Sequence, residues 1–582
     1  MTGSVAARLL FLLLPIACVG LFARVLYTPD EPREASLVVA MASQADKSLP
    51  ELAGRPFAEK PPLLYWLGGA AVAALGPSPA ATRLPNLVYL LLAALAIASL
   101  VTRAAGPTAG FAAGAVVATS LQLYQVLIWL ATDAPLVAGV AVALLGSYLG
   151  LTAADRPGRY RGYAMLYAGL AIAFFAKGFA GWMVPVFAFL TVVVAERRWR
   201  ELLRVELWAG LPVLALLLLG WVAWVAAAPG GAESLRVLFW YNLVGRAVSV
   251  ASPAQFAYTT GHANSPGKYL LELPMYLLPW TPLAFVALRR APRAFQTRGP
   301  EGTAWRLALG AIVPATLLLS FAATARGVYY GPPALGFAML VGLYVGRAGA
   351  VLDRIDRLAW RLTGALIALV AALLGALAVL ANWAPLGRTD LALGLGLVAL
   401  VAAAFAVYLG LRSRDATAVP PQAFAVTLVL TLVVGPLYLR LNGWLDLETL
   451  ATRIEAAAGP APLVVLYPDE TTLALVDLYL PKGRVAAIVR VGDADGAARA
   501  SAALQGPARL LWLVPDHAHW GLGAWLSYLA YRDGVPAAAT SGALPEGLGA
   551  LRTECLLQRA GGRAIALLAR DGAAPLKGTV CR

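Results

Sequence analysis

Residues 84–101 read LPNLVYLLLAALAIASLV, a stretch without charge that is long enough to cross a bilayer as a helix. Just upstream, residues 56–66 read PFAEKPPLLYW, with Glu59 and Lys60 side by side ahead of Pro61 and Pro62. Proline restricts the residue before it to extended backbone and suits the first turn of a helix. The pair is therefore held in a short polar loop, and a short interfacial helix, LLYWLGGAAVAALG, starts at Leu63. Working outward from this contrast between greasy span and fixed charge gives the class of the whole chain.

Of 582 residues, 60% are hydrophobic and 13% are charged, well beyond the apolar share of a soluble domain. Apolar runs recur near residues 16, 93, 115, 140, 168, 187, 217, 279, 314, 341, 370, 401 and 431. The reading is a polytopic α-helical membrane protein of about thirteen transmembrane helices. The N-terminal run, ARLLFLLLPIACVGLFARVLY, lacks a small-x-small cleavage site and is read as an uncleaved first helix.

The net charge of +15 is mostly arginine, and much of it lies in short loops, such as Arg156, Arg159 and Arg161, or Arg289, Arg290, Arg293 and Arg298. Short basic loops mark the cytoplasmic side, so the charge is a topology signal and not a nucleic-acid signal. Threading from there puts two long loops, about 28–82 and 229–268, on the other side, together with the C-terminal tail. Both loops contain short apolar-periodic stretches, EASLVVAMASQ and AESLRVLFWYNLVGRAV, that suit helices lying along the membrane surface. Residues 1–440 are thus expected to form the membrane domain.

Residues 441–582 carry short apolar runs ending in turn residues, APLVVLYPD, VAAIVRVGD, ARLLWLVPD and AIALLARDG, with helical stretches between some of them. That alternation predicts a small soluble α/β domain. It contains no phosphate-binding glycine loop. Cys555 and Cys581 could pair there in an oxidising compartment, and Cys18 is packing within the first helix. His517 and His519 read as exposed loop residues.

Charged residues near membrane depth are costly and mark function by default. Asp30 and Glu31 follow the first span, Asp133 opens the fourth, and Lys177 and Arg326 each sit between two spans. With Glu59 and Lys60, all of them thread to the non-cytoplasmic side. Carboxylates and cations converging on one membrane face suit a reaction with an anionic leaving group. Other readings stay open: Asp30 and Asp133 as helix caps, Lys177 and Arg326 as snorkelling residues, and His262 as a solvated loop histidine.

The motifs DEPREA, GRPFAEKPPLLYW, TRLPN, TDAP and AKGFAGWMVP, in this order over about 450 residues, resemble the lipid-phosphate-dependent glycosyltransferases of the membrane GT-C superfamily. The nearest branch is the bacterial aminoarabinose transferase (ArnT-like) group, related to protein O-mannosyltransferases. The resemblance implies a GT-C fold and inverting transfer of a sugar from undecaprenyl phosphate to lipid A or another envelope glycolipid. It places a multi-pass monomer in the bacterial inner membrane, with active site and tail facing the periplasm. Asp30, Lys60 and Asp133 are then the catalytic residues. Glu31, Arg33, Glu59, Tyr65, Lys177, Arg246, Arg326, Tyr329 and Tyr330 are the expected substrate-binding residues. No cofactor is required; a divalent metal between Glu59 and His262 is the one considered. Departures concern specificity: Glu34 stands where the family has tyrosine, and Phe57 and Ala58 replace an aromatic pair. A protein O-glycosyltransferase of the same fold, or a lipid-linked-sugar transporter, are the alternatives. The absence of an internal repeat and the one-sided charges speak against transport.

Overall fold

The computed structural model describes residues 3–27, 30–245, 265–347 except 323 and 325, 353–386, 389–412, 419–513 except 492 and 494, 548, 550–558 and 564–571. Among these residues, nine helical segments are long and apolar enough to cross a membrane, and eleven if two bent pairs each count as one crossing. The thirteen expected from the sequence are not reached by this measure. Part of the reason is that residues 156–195 hold two of the expected spans in one segment. Its helices, Arg156–Lys177 and Met183–Ala195, turn back on each other at Gly178–Trp182. The indole N–H of Trp182 donates to the carbonyl of Leu170 at 2.9 Å, where a straight helix would put them about 18 Å apart. The span expected near residue 401 is the 24-residue helix Thr389–Arg412.

The elements that frame the site come early in the chain. They are α1 (Gly3–Phe22), α2 (Asp30–Ser43), α3 (Leu63–Leu75), α4 (Pro79–Ala105), α5 (Pro107–Thr119), α6 (Leu121–Ile128), α7 (Asp133–Thr152), α8 (Arg156–Lys177) and α9 (Met183–Ala195). The surface helices expected in the first loop are α2 and α3, and α3 starts directly after Pro62. They pack through glycines: a Cβ on Gly68 would come within 2.8 Å of the Val38 side chain. Between them a two-residue hairpin, β1 (Glu51–Leu52) with β2 (Arg55–Pro56), turns at Ala53 and Gly54, whose φ angles are 49° and 72°. It delivers the chain to Phe57–Lys60.

Helices α7 and α8 run antiparallel at very close range. A Cβ on Gly146 would meet the backbone N of Leu166 at 2.2 Å. Lipid offers no hydrophobic drive between helices, so small residues that let backbones approach supply the attraction through packing. The consequence reaches the site: this hairpin sets Asp133, at the start of α7, against Lys177, at the end of α8.

Beyond the bundle, a five-stranded sheet has the order β4-β3-β5-β7-β6, with β3 (Leu463–Leu466), β4 (Val485–Val489), β5 (Arg509–Leu513), β6 (Leu551–Gln558) and β7 (Ala564–Arg570). β3 pairs in parallel with β4 and β5, while β7 is antiparallel to β5 and β6. Helices Glu470–Tyr479 and Gly496–Ala503 make the parallel crossovers. LVVL of β3 is buried throughout, as a central strand covered on both faces requires. Helix Gly435–Leu445 runs through residue 440, and its Asn442 bonds Ala23 and Val25 beside α1. The sheet unit therefore begins with helix Leu447–Ala458, capped by Asp446.

Candidate active site

The corner between α1 and α2 is built around a buried carboxylate. Glu31 and the guanidiniums of Arg24 and Arg83 are fully shielded from solvent. Arg24 Nη2 meets Glu31 at 3.0 Å and Arg83 Nη2 at 2.7 Å, and the amides of Tyr27 and Leu130 each donate at 2.9 Å. Arg83 also donates to the carbonyls of Leu21, Arg24 and Val25. Burial alone would push the Glu31 carboxyl up, but Arg83 and then Arg24 reverse this and hold it below the usual range. Expected to bind substrate, Glu31 instead ties the loop after α1 to α4 and α6, because its oxygens are already occupied.

This knot fixes the start of α2, and Asp30 beside it is partly exposed. Arg326 Nη2 reaches the Asp30 carboxylate at 2.5 Å, with both side chains partly exposed. Arg33, one turn along α2, lies 3.6 Å from Asp30. Burial opposes ionisation of Asp30, but Arg33 and then Arg326 outweigh it and keep the carboxyl below its ordinary value. Lys60 bonds Glu59 at 3.2 Å, and both are largely buried in the loop that Pro61 and Pro62 fix. Near Arg326, Lys177 pairs with Asp133 and sits 4.6 Å from the centre of the Tyr329 ring. The structure thus brings Asp30, Arg33, Glu59, Lys60, Asp133, Lys177, Arg326 and Tyr329 to one face of the bundle, as the threading of charges expected.

Other expected binding residues lie elsewhere. Tyr65 is fully buried and its hydroxyl donates to Glu34 at 2.8 Å. Tyr330 is fully buried too, stacked 5.5 Å from Tyr269 and bonded to Thr316 at 2.7 Å. Both rings are enclosed by protein. Arg246 and His262 lie outside the described residues, as do His517, His519 and Cys581. The expected metal pair, Glu59 with His262, is therefore represented by Glu59 alone. Among the described residues no group of three His, Cys, Asp or Glu comes together in a metal-like cluster.

The C-terminal domain supplies a long-range partner that no sequence pattern marks. Glu470, at the start of its helix in the C-terminal domain, meets Arg33 Nη1 at 2.5 Å. Burial pushes its carboxyl up; Arg33 opposes this and the nearby Glu59 adds to it. The signal available was an acidic residue opening an amphipathic helix, which is too common to single out.

Comparison with solved structures settles the architecture. ArnT from Cupriavidus metallidurans, in a crystal structure bound to undecaprenyl phosphate, superposes with a TM-score of 0.70 over 97% of this chain and 98% of that one, at 18% identity. The chain has the ArnT fold. The apo crystal structure of ArnT gives the same TM-score at 19% identity. In sequence, the family profile described as dolichyl-phosphate-mannose-protein mannosyltransferase matches residues 59–224, from Glu59 into the helix Leu211–Ala227. Undecaprenyl phosphate-alpha-4-amino-4-deoxy-L-arabinose arabinosyl transferases are also similar. That of Edwardsiella ictaluri is 30% identical over 63% of this chain, and that of Pseudomonas paraeruginosa 30% identical over 57%. The matched regions span 63% and 57% of those relatives' own lengths. The resemblance drawn from DEPREA, EKPP and TDAP is thereby borne out at the level of the fold.

Proposed function

We propose that the protein is a glycosyltransferase of the bacterial inner membrane, with its cleft and C-terminal domain facing the periplasm. It moves a sugar from undecaprenyl phosphate to lipid A or another envelope glycolipid, with aminoarabinose-type transfer the leading specific assignment. The observation that carries this is the convergence of Lys60, Arg33, Lys177 and Arg326 with Asp30 and Asp133 on one face of the bundle. A sugar leaving a lipid phosphate develops negative charge on that phosphate, and preorganised cations in a water-poor cleft stabilise it most when charge develops. Lys60 is held by its Pro-Pro stop, pairs with Glu59 at 3.2 Å, and lies near enough to Asp30 to favour its ionised form. It is the first candidate for the phosphate, with Arg326 and Lys177 assisting.

The state of Asp30 bears on the acceptor. A general base works best with a pKa near the working pH, and Asp30 is shifted the other way by Arg33 and Arg326. Asp133 is engaged by Lys177. Two carboxylates locked to cations are poorly suited to take a hydroxyl proton. They suit an acceptor that is already anionic, such as a lipid A phosphate, which needs orientation and no base. Asp30 then holds Arg326 in place, and Asp133 holds Lys177.

The test is acceptor competition. Purified protein in lipid nanodiscs receives a radiolabelled undecaprenyl-phosphate sugar together with lipid A, dephosphorylated lipid A or a periplasmic protein extract. The proposal expects label on lipid A and none after dephosphorylation. Label on protein would replace it with the O-glycosyltransferase reading, and sugar release across the membrane without transfer would replace it with transport.

A further inference from the structure

Arg33 is the most heavily engaged cation of the cleft. Its guanidinium lies 2.5 Å from Glu34, 2.5 Å from Glu470, 3.6 Å from Asp30 and 4.0 Å from Glu59. Three of these carboxylates belong to the first loop, and Glu470 comes from the C-terminal domain. Glu470 is well supported. Asp469 caps its helix by accepting from the amide of Thr472 at 2.8 Å. Two turns on, Asp477 accepts from Ser36 of α2 at 2.8 Å and from the amide of Ala53 in the hairpin at 2.9 Å. Arg490 donates to the carbonyls of Leu52 and Ala53, and Arg55 pairs with Asp493 at 3.0 Å. The whole contact falls on α2 and on the hairpin that delivers Glu59 and Lys60.

We propose that Glu470 is a positioning residue of the cleft: it holds Arg33 away from Glu59, so that Glu59 stays on Lys60, and docking of the C-terminal domain is what completes the site. The inference rests on the glycosyltransferase reading above. The logic is one of competition. Arg33 Nη1 is shared between Glu470 at 2.5 Å and Glu59 at 4.0 Å. Without Glu470, the guanidinium moves to the next carboxylate, Glu59, and draws it from Lys60, 3.2 Å away. Lys60 then loses the partner that orients it toward a lipid-linked phosphate. Glu470 touches no substrate in this scheme and acts through Arg33.

The ionised form of Glu470 is the one that holds Arg33. The titratable and charged groups facing it are Arg33, Glu59 and Lys60, with Asp30 and Glu34 reached through Arg33. Burial raises its carboxyl, so protonation sets in at a higher pH than for an exposed glutamate and has the effect of a Glu470→Gln substitution.

The experiment uses the full chain in nanodiscs, as wild type, Glu470→Gln, Glu470→Asp and Asp477→Ala. It reads thermal unfolding, the Kd for undecaprenyl phosphate, and kcat and KM across pH. Glu470→Gln is expected to unfold like wild type, to weaken undecaprenyl phosphate binding and raise the donor KM about tenfold, and to lose the acid-side fall in kcat/KM. Glu470→Asp is expected to recover part of the loss, and Asp477→Ala, which loosens the docking, to show the same shift in Kd as Glu470→Gln. A folded Glu470→Gln protein with wild-type Kd, KM and pH profile overturns the inference, as does an equal loss in the Gln and Asp variants accompanied by a lower unfolding temperature. The Kd needs no turnover: a wild type that binds the lipid without transferring sugar defeats the functional reading, and the Kd of the variants still decides the role of Glu470.

Discussion

Replacing Glu31 by alanine removes the carboxylate shared by two buried guanidiniums. Arg24, Arg83 and Glu31 are all at zero side-chain exposure, so no water can take over the lost charge. Breaking a buried pair by deleting one partner costs about 3–5 kcal/mol. Here the amides of Tyr27 and Leu130 also lose their acceptor, at about 1–3 kcal/mol for each unsatisfied group. The upper end of the first range is therefore the floor, and the loss is expected to exceed about 5 kcal/mol. The assay is urea or thermal unfolding of the purified protein in detergent, followed by tryptophan fluorescence. A second variant separates charge from packing: Arg24→Met, Glu31→Leu and Arg83→Met together remove the whole network. Apolar replacement of complete buried ion networks is often neutral, but the amides of Tyr27 and Leu130 still lack an acceptor, so this triple variant should recover only the part of the loss due to the unpaired charges. A Glu31→Ala protein within about 1 kcal/mol of wild type would refute the reasoning, because it would mean the corner is wetter or looser than the structure shows. So would a triple variant less stable than Glu31→Ala.

Further expectations concern the cleft. Arg326→Ala removes one of the two cations that hold Asp30 down against burial. A carboxyl depressed on folding contributes stability above its unfolded pKa, and that contribution is lost as pH falls through the folded value. In the variant the carboxyl rises, so the acid-side loss of stability should begin at a higher pH than in wild type; an unchanged profile of unfolding against pH counts against the pairing. Gly146→Ala inserts a methyl group where 2.2 Å is available beside Leu166 N. Forced separation of α7 and α8 should cost about 1–3 kcal/mol in unfolding experiments and lower kcat by pulling Asp133 from Lys177. Wild-type kcat in that variant would show that the hairpin does not position the pair. Tyr330→Phe removes the hydroxyl bonded to Thr316 and should leave donor KM unchanged while slightly lowering stability. A raised KM would restore Tyr330 to the cleft.

Much of the site could be seen in the sequence for an electrostatic reason. A charge next to a span is expensive, so Asp30, Lys60, Asp133, Lys177 and Arg326 stood out against their apolar surroundings, and all of them meet at one face. What sequence could not show is which way a side chain turns once its helix is packed. Glu31 and Asp30 are neighbours on α2, yet Glu31 points into the Arg24–Arg83 knot and Asp30 meets Arg326 nearer the surface. Tyr329 and Tyr330 part in the same way, with Tyr329 under Lys177 and Tyr330 in an aromatic stack. Partners far along the chain were hidden as well. Arg83 bonds Glu31 across 52 positions and Glu470 bonds Arg33 across 437, and no local pattern links such residues. In the tail, β3, β4, β5 and β7 coincide with the four apolar runs, while the edge strand β6, LRTECLLQ, mixes charged and apolar residues and has no such run.

The central claim is that the charged cleft transfers sugar from a polyprenyl phosphate with Lys60 on the leaving phosphate. Its most direct test is the rate of transfer from a radiolabelled undecaprenyl-phosphate sugar to lipid A by wild type and by Lys60→Ala, at matched amounts of folded protein. Loss of a preorganised donor at a developing oxyanion lowers kcat about 100- to 1,000-fold, and a fall of that size is the result predicted here. Transfer by Lys60→Ala at the wild-type rate would contradict the account.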